Sequence, residues 1–260
     1  MFTRRILAIV GTAAASVLLV SGTAVASHAP PDAVGPASAI GNGTAHVFQR
    51  FDDGVPVAIG VRIDAAALDG LPEGPLAGSR EYPLQVADRA RATPVDHVTM
   101  DWNPHGHNPE HGFDRPHFDV HFYLVDRAML MQIDPLAPGY LDRATRLPDQ
   151  KYLPEGYAPT DDPLTGTTMH MGLHWADSHP RPHEFTETVL HGSWDGRHIF
   201  IEPMFTRDWL LTHPSHEETL PQPQAYQASG HYPTTFSVDW DADAQQYVVE
   251  LGGLAYHDAG

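Results

Sequence analysis

Residues 116–124 carry two sets of side chains that differ completely in chemistry. Alternate residues of a strand point to opposite faces, and the aromatic and β-branched residues here favour a strand. One face would carry His117, Asp119, His121 and Tyr123, and the other Phe118, Val120, Phe122 and Leu124. Packing in a sheet explains the apolar face, whereas three titratable side chains in a row need a chemical reason.

The spacing of the polar residues limits the metal site they could form. Residues i and i+2 of a strand lie about 6.6 Å apart, so Asp119 can share a site with either histidine. His117 and His121 lie about 13 Å apart in an ideal strand and cannot bind one ion unless the strand bends. We therefore expect one of them to lie apart from the primary cluster. The alternative is a buried hydrogen-bond network in which Asp119 orients a histidine.

Two further alternating segments and one turn supply similar side chains. Residues 169–175 would place His170 and His174 on one face, and a later strand ends near Glu202. His107 lies in a turn that precedes the strand predicted over residues 116–124. If these faces converge, imidazoles and a carboxylate suit a divalent transition metal, zinc first, with iron or manganese as other candidates. The predicted metal ligands are His107, His117, His121, His174 and Glu202, and the candidate catalytic bases are Glu202 and Asp119.

Composition narrows the classes of partner and reaction. The 33 acidic residues outnumber the 15 basic ones, giving a formal charge of −18, so nucleic acid and anionic lipid are not expected partners. The chain has 18 histidines and no cysteine, which excludes disulfides, thiolate ligands and a cysteine nucleophile. No Gly-x-Ser-x-Gly motif supports serine hydrolase chemistry. A homo-oligomer is compatible with the sequence, which does not identify a small-molecule ligand.

The N-terminus has the layout of a cleavable secretory signal. Arg4 and Arg5 precede an apolar run over residues 6–20, and Ala24-Val25-Ala26 is a cleavage pattern. The predicted organisation is a signal peptide over residues 1–26, a flexible leader over 27–44 and a single β-rich domain over 45–260. The protein would then be secreted or extracytoplasmic, with no stable membrane anchor after cleavage.

Alternation and turn residues predict the fold class. A hairpin is expected around Asp52-Asp53-Gly54, and others around residues 192–196 and 241–244. Asp126 is a candidate N-cap for a short helix, while residues 72–83 and 135–163 are predicted to be loops. The whole is predicted to be mainly β, an antiparallel barrel or sandwich with a few short helices and long loops.

Four ordered motifs resemble the signature of a known family. They are Asn-Pro-His-Gly-His at 103–107, Pro-His-Phe-Asp-Val-His-Phe-Tyr at 116–123, Met-Gly-Leu-His-Trp-Ala-Asp at 171–177 and Glu-Pro-Met at 202–204. This pattern, NPxGH, PHFDxHFY, MGxHWxD and EPM, is similar to that of exported bacterial and archaeal proteins classed as a domain of unknown function. The resemblance spans residues 44–256 and implies an extracytoplasmic, largely β, oligomeric protein without an assigned activity. Its motif positions include Asp119 and all five predicted ligands, but not His170.

Three functional hypotheses follow from these residues. The first is a secreted metal-binding β-domain whose physiological role is unassigned. The second is a metal-dependent hydrolase or lyase in which a metal-bound water is the nucleophile at the same site. The third is a structural or assembly protein with a buried His/Asp hydrogen-bond network. The sequence leaves open whether the protein is an enzyme.

Overall fold

The computed structural model describes residues 32–87, 93–107, 112–179 and 184–260. Its strands are β1 (Ala33–Val34), β2 (Ser38–Ile40), β3 (Gly43–Asp52), β4 (Val55–Asp64), β5 (Arg80–Leu84), β6 (His97–Asn103), β7 (His117–Tyr123), β8 (Tyr157–Pro159), β9 (Leu173–Asp177), β10 (Glu187–Trp194), β11 (Arg197–Thr206), β12 (Ser215–Thr219), β13 (Gly230–Tyr232), β14 (Thr235–Asp241), β15 (Gln246–Gly252) and β16 (Ala255–His257). The helices are α1 (Arg127–Leu130), α2 (Tyr140–Ala144), α3 (Arg207–Leu210) and two 3₁₀ turns, Ala65–Leu68 and Gln150–Tyr152.

Fourteen of the described strands form two antiparallel seven-stranded sheets, and β13 and β16 pair as a separate two-stranded sheet. The first sheet has the order β1-β3-β4-β15-β14-β12, with β2 paired to β3, and the second has the order β5-β6-β7-β11-β10-β9-β8. Within the described ranges neither sheet closes on itself, so the architecture is a sandwich rather than a barrel. The predicted mainly β, antiparallel fold is confirmed.

The main hydrophobic core lies between the two sheets. Val61 and Val249 of the first sheet belong to the same buried cluster as Phe118, Val120 and Phe122 of β7. Because alternate residues of a strand face opposite ways, the polar residues of β7 lie on the outer face of the second sheet. Connecting segments of the chain cover this outer face, just as the first sheet covers the inner face.

Side chains from the connecting segments cover the two ends of this outer face. Ile133 and Tyr140 pack with Tyr123 and Phe200 at one end. Phe113 and Phe185 pack with Leu190 and Met204 at the other end. The polar residues between these two clusters are therefore shielded from water although they lie outside the sandwich core.

Local sequence signals predicted several elements correctly. Asp53 and Gly54 both have positive φ, 46° and 83°, which matches a two-residue hairpin turn between β3 and β4. The Asp126 side chain accepts a hydrogen bond from the Met129 amide and caps α1 as expected.

Several sequence predictions are corrected by the fold. The described part of the predicted leader, residues 32–44, contains strands, because β1 and β2 pair with β3. The predicted loop 135–163 contains α2, a 3₁₀ turn and β8, and β5 lies mostly in the other predicted loop. No alternating pattern marked the short strands β5 and β8, which pair with β6 and β9.

The predictions for the N-terminus concern residues that lie largely outside the described ranges. The signal peptide over residues 1–26 and the first part of the leader, residues 27–31, are not among the described residues. Within the ranges that are described, no helix is long and apolar enough to cross a bilayer.

Candidate functional site

The register of the second sheet brings polar residues from several strands together on its outer face. Asp101 of β6 lies opposite Asp119 of β7, and β11 pairs with the other edge of β7. His174 of β9 lies opposite Gly192 of β10, which pairs with β11 in turn. The result is two groups, each with two histidines and one carboxylate. We call His121, His174 and Glu202 the buried group, and His107, His117 and Asp119 the rim group.

The ligand atoms of the buried group have the spacing of a metal site. His121 Nε2 lies 3.3 Å from Glu202 Oε1, and His174 Nε2 lies 3.5 Å from Glu202 Oε2. Metal–ligand bonds of about 2.0–2.1 Å in a tetrahedron place neighbouring ligand atoms about 3.3 Å apart. The side chains of His121 and Glu202 are 0% and 1% exposed, and that of His174 is 10% exposed. The three side chains therefore match such a site in both spacing and burial.

The polar atoms of the buried group lack ordinary partners. Among the described residues, neither oxygen of Glu202 and neither ring nitrogen of His121 forms a hydrogen bond. An unpaired carboxylate is costly to bury, so the site needs a proton or a cation.

Asp101 lies behind the buried group and was missed as a functional residue. Its Oδ2 atom is 3.2 Å from His121 Nδ1, although the N–H is not well enough aligned to count as a hydrogen bond. A carboxylate at this position selects the tautomer that leaves Nε2 free to bind a metal. The alternation of His97, Thr99 and Asp101 along the chain was the available sequence signal.

The pKa values in the buried group reflect burial and mutual charge. Burial, together with the neighbouring His121 and His107, lowers the pKa of His174 to about 3. Burial also opposes protonation of His121, but the Glu202 and Asp101 carboxylates outweigh it and raise its pKa to about 9. Burial raises the pKa of Glu202 well above its usual value, against the attraction of His121. The carboxylates thus favour positive charge at His121.

The ligand atoms of the rim group lie closer together. His107 Nε2 is 3.0 Å from both His117 Nε2 and Asp119 Oδ2, and His117 Nε2 is 3.1 Å from Asp119 Oδ1. His117 Nδ1 lies 2.6 Å from the carbonyl oxygen of Arg115 and must donate to it. Asn103 Nδ2 donates to Asp119 Oδ2 at 2.7 Å. Each ligand on β7 is therefore oriented by a second partner.

Hydrogen bonding distinguishes the rim carboxylate from Glu202. Burial opposes ionisation of Asp119, but the hydrogen-bonded His107 and the adjacent His117 outweigh it and hold its pKa well below the usual range. Burial likewise opposes protonation of His117, but Asp119 raises its pKa. Asp119 is consequently an anion at neutral pH.

The structure divides the five predicted ligands between two places. His121, His174 and Glu202 meet, whereas His107 and His117 join Asp119 instead of the other three. The predicted ligands therefore form two groups, and His117 lies apart from the group that contains His121, as expected from the sequence. The strand spacing explains the division, because β7 pairs with β6 without a bulge from His117 to Tyr123.

His170 belongs to neither group. It has a φ of 60° in the turn before β9, which begins only at Leu173, so it does not share a strand face with His174. It lines a cavity of about 310 Å³ together with Glu81, His97, Thr99, Tyr123, Arg127, Leu130 and Met131.

Fold and site together define a two-sheet β-sandwich with two His₂-carboxylate groups on one outer face. A family model described as TTHB210-like, "Hypothetical protein TTHB210", matches residues 52–102, about a fifth of the chain. No curated protein and no solved structure matches the chain. The matched segment ends before the first of the four motifs, so the resemblance to the exported family stays a prediction.

Proposed function

We propose that this protein binds a divalent transition metal at the buried group, with His121 Nε2, His174 Nε2 and the Glu202 carboxylate as ligands. The observation that carries the proposal is a buried carboxylate that has no hydrogen-bond donor among the residues that the structure describes and lies 3.3 and 3.5 Å from two imidazole nitrogens. A cation would satisfy Glu202 and both rings at once.

The donor set points to the class of metal. Two imidazoles and one carboxylate match known zinc sites and the iron(II) sites of the 2-His-1-carboxylate type. Hard cations such as Ca²⁺ and Mg²⁺ prefer sites made of oxygen ligands. We propose zinc as the first candidate, with iron and manganese as alternatives.

Metal content of the untagged protein tests the assignment. His174→Ala and Glu202→Gln should each bind one ion fewer than the wild-type chain after reconstitution with zinc and removal of excess metal. His179→Ala is the matched control, because the His179 side chain is 74% exposed and lies just beyond the end of β9. Wild-type protein with less than a tenth of an equivalent of metal after reconstitution would refute the proposal.

The physiological setting is a separate part of the proposal. The signal-like residues 1–26 and the lack of cysteine support export, which would place the metal site outside the cytoplasm. Sequencing of the N-terminus of secreted protein should begin at Ser27, and an N-terminus at Met1 would contradict export with cleavage.

The other hypotheses from the sequence stay predictions. Hydrolase or lyase chemistry would require the bound metal to keep a position for water or substrate. A purely structural network would leave thermal stability unchanged when metal is removed. Homo-oligomer formation is likewise open, and analytical ultracentrifugation would test it.

A further inference from the structure

We infer that the rim group is a second, separate metal position, so that each chain binds two divalent transition-metal ions that differ in access to solvent. The rim position goes beyond the proposed function and requires no ion at the buried group, whereas the total of two ions rests on that proposed function. The basis of the rim position is the geometry of His107, His117 and Asp119.

The three rim ligand atoms already surround one point. His107 Nε2 lies 3.0 Å from His117 Nε2 and 3.0 Å from Asp119 Oδ2. His117 Nε2 lies 3.1 Å from the other carboxylate oxygen, Asp119 Oδ1. Ligands of a tetrahedral zinc ion lie about 3.3 Å apart, so a shift of a few tenths of an ångström would accommodate the ion.

Hydrogen bonds outside the rim group direct its ligands toward that point. His117 Nδ1 donates to the Arg115 carbonyl, which leaves the Nε2 lone pair of the neutral ring facing His107 and Asp119. Asn103 donates to Asp119 and in turn accepts from Ser79 Oγ at 2.5 Å. Partners of this kind orient metal ligands in known sites.

Access to solvent differs between the two groups. The His107 side chain is 31% exposed, whereas His117 and Asp119 are 0% and 6% exposed. Two ligands are thus fixed on β7, and the third comes from the turn after β6. Three protein ligands leave a fourth tetrahedral position for water or a small anion, and His107 places the rim site next to solvent.

Two separate groups can be counted by removing one ligand from each. Full-length protein should bind two equivalents of zinc or cobalt(II), measured by elemental analysis after removal of excess metal. His107→Ala should bind one equivalent, as should His174→Ala, and the double variant should bind none. His107 is the first choice for the rim because it is half-exposed on a turn; His117→Gln is the second rim variant if His107→Ala does not fold. His179→Ala should keep both ions.

The outcomes separate this inference from the proposed function. A single ion that is lost in His174→Ala but kept in His107→Ala and His117→Gln would overturn the rim site alone. A single ion with the opposite dependence would overturn the buried site and support the rim group. Two ions removed by a chelator at the same rate would overturn the inferred difference in access, because the rim ion should leave first.

Discussion

Two buried carboxylates on the same sheet face differ in their surroundings. Asp119 accepts from Asn103 and lies against two histidines, so it stays ionised without a metal. Glu202 has no hydrogen-bond donor among the described residues, and burial raises its pKa. A bound cation would therefore stabilise ionised Glu202 more than ionised Asp119, because it supplies the partner that Glu202 lacks.

At the residue scale, Asp101→Asn should weaken metal binding without removing a ligand. Asp101 lies 3.2 Å from His121 Nδ1, and loss of such an outer carboxylate typically costs about 10–100-fold in metal affinity. Competition with a chromophoric chelator would measure the change. Asp239→Asn, an exposed carboxylate of the first sheet, should leave the affinity unchanged. Equal affinity of the Asp101 variant and wild type would remove Asp101 from the site.

The buried histidine pair His191 and His198 should make stability depend on pH. His198 Nε2 lies 3.0 Å from His191 Nδ1 and donates to the Phe200 carbonyl at 2.9 Å. Burial lowers the pKa of His198 to about 4 and that of His191 well below its usual value. The unfolded chain, with histidine pKa values near about 6.5, binds more protons below that pH. Their contribution to stability is thus complete above about 6.5 and is lost as the pH falls toward 4.

Urea unfolding of metal-free protein at pH 7 and pH 5 would test the pair. Each neutral histidine contributes a slope of at most about 1.4 kcal/mol per pH unit. The double variant His191→Gln/His198→Gln should lose less stability than wild type between these pH values. The histidines of the buried group and the rim group are present in both proteins, so their contributions to the loss of stability cancel in the comparison. Equal losses would show that the pair does not titrate as described.

At the scale of elements, β7 serves both the core and the two groups. Phe118, Val120 and Phe122 pack between the sheets, while His117 and Asp119 lie on the other face with His121. Both sets of side chains belong to the same strand. A one-residue shift in the pairing register of β7 would therefore turn the polar side chains toward the core and the apolar side chains toward the site. The apolar packing therefore holds the ligands in register.

Strand β10, which pairs with β11 on the side away from β7, contains a glycine that this arrangement requires. A Cβ at Gly192 would overlap with the Phe200 ring, which packs 4.9 and 5.2 Å from the rings of His121 and His174. Gly192→Ala should lower the free energy of unfolding by about 1–3 kcal/mol, as overpacking of a core does. Gly78→Ala is the control, because a Cβ there meets no atom within 4 Å. Chemical denaturation that finds both variants as stable as wild type would contradict the close approach.

At the scale of the whole molecule, the sandwich has a hydrophobic core on one face of the second sheet and a covered polar layer on the other. Segments around α1 and α2 pack over Tyr123 and Phe200, and Phe113 and Phe185 close the opposite end. The covering segments shield the ligands from water, which strengthens their interaction with a cation. Metal binding and folding should accordingly be coupled.

Metal should raise the thermal stability of the whole chain. A single ion at a free concentration a hundredfold above its Kd stabilises by about 2.7 kcal/mol, which corresponds to about 5–10 °C in a protein of this size. Thermal unfolding followed by circular dichroism, with zinc or with a chelator, measures this shift. The double variant His107→Ala/His174→Ala should show no shift. A wild-type Tm that is the same with zinc and with chelator would argue for the hydrogen-bond network instead.

Much of the fold could be predicted because its signals are local. Alternation identified β7, and turn residues identified the hairpins around 192–196 and at Asp53 and Gly54, which adopt positive φ. The histidines and carboxylates of the candidate site also stood out by type and spacing. The short strands β5 and β8 had no such signal, and they are stabilised by pairing with β6 and β9 across the loops that separate them.

The sequence by itself determined the β-rich class, the two chemically different faces of β7 and the donor types available to a metal. Only the tertiary structure decided that Glu202 and His174 reach His121, that His107 joins His117 and Asp119, and that Asp101 lies behind His121. The physical reason is the distance along the chain between the residues that interact. Backbone geometry sets which neighbours along a strand share a face, whereas sheet order and register depend on packing between residues far apart in the chain.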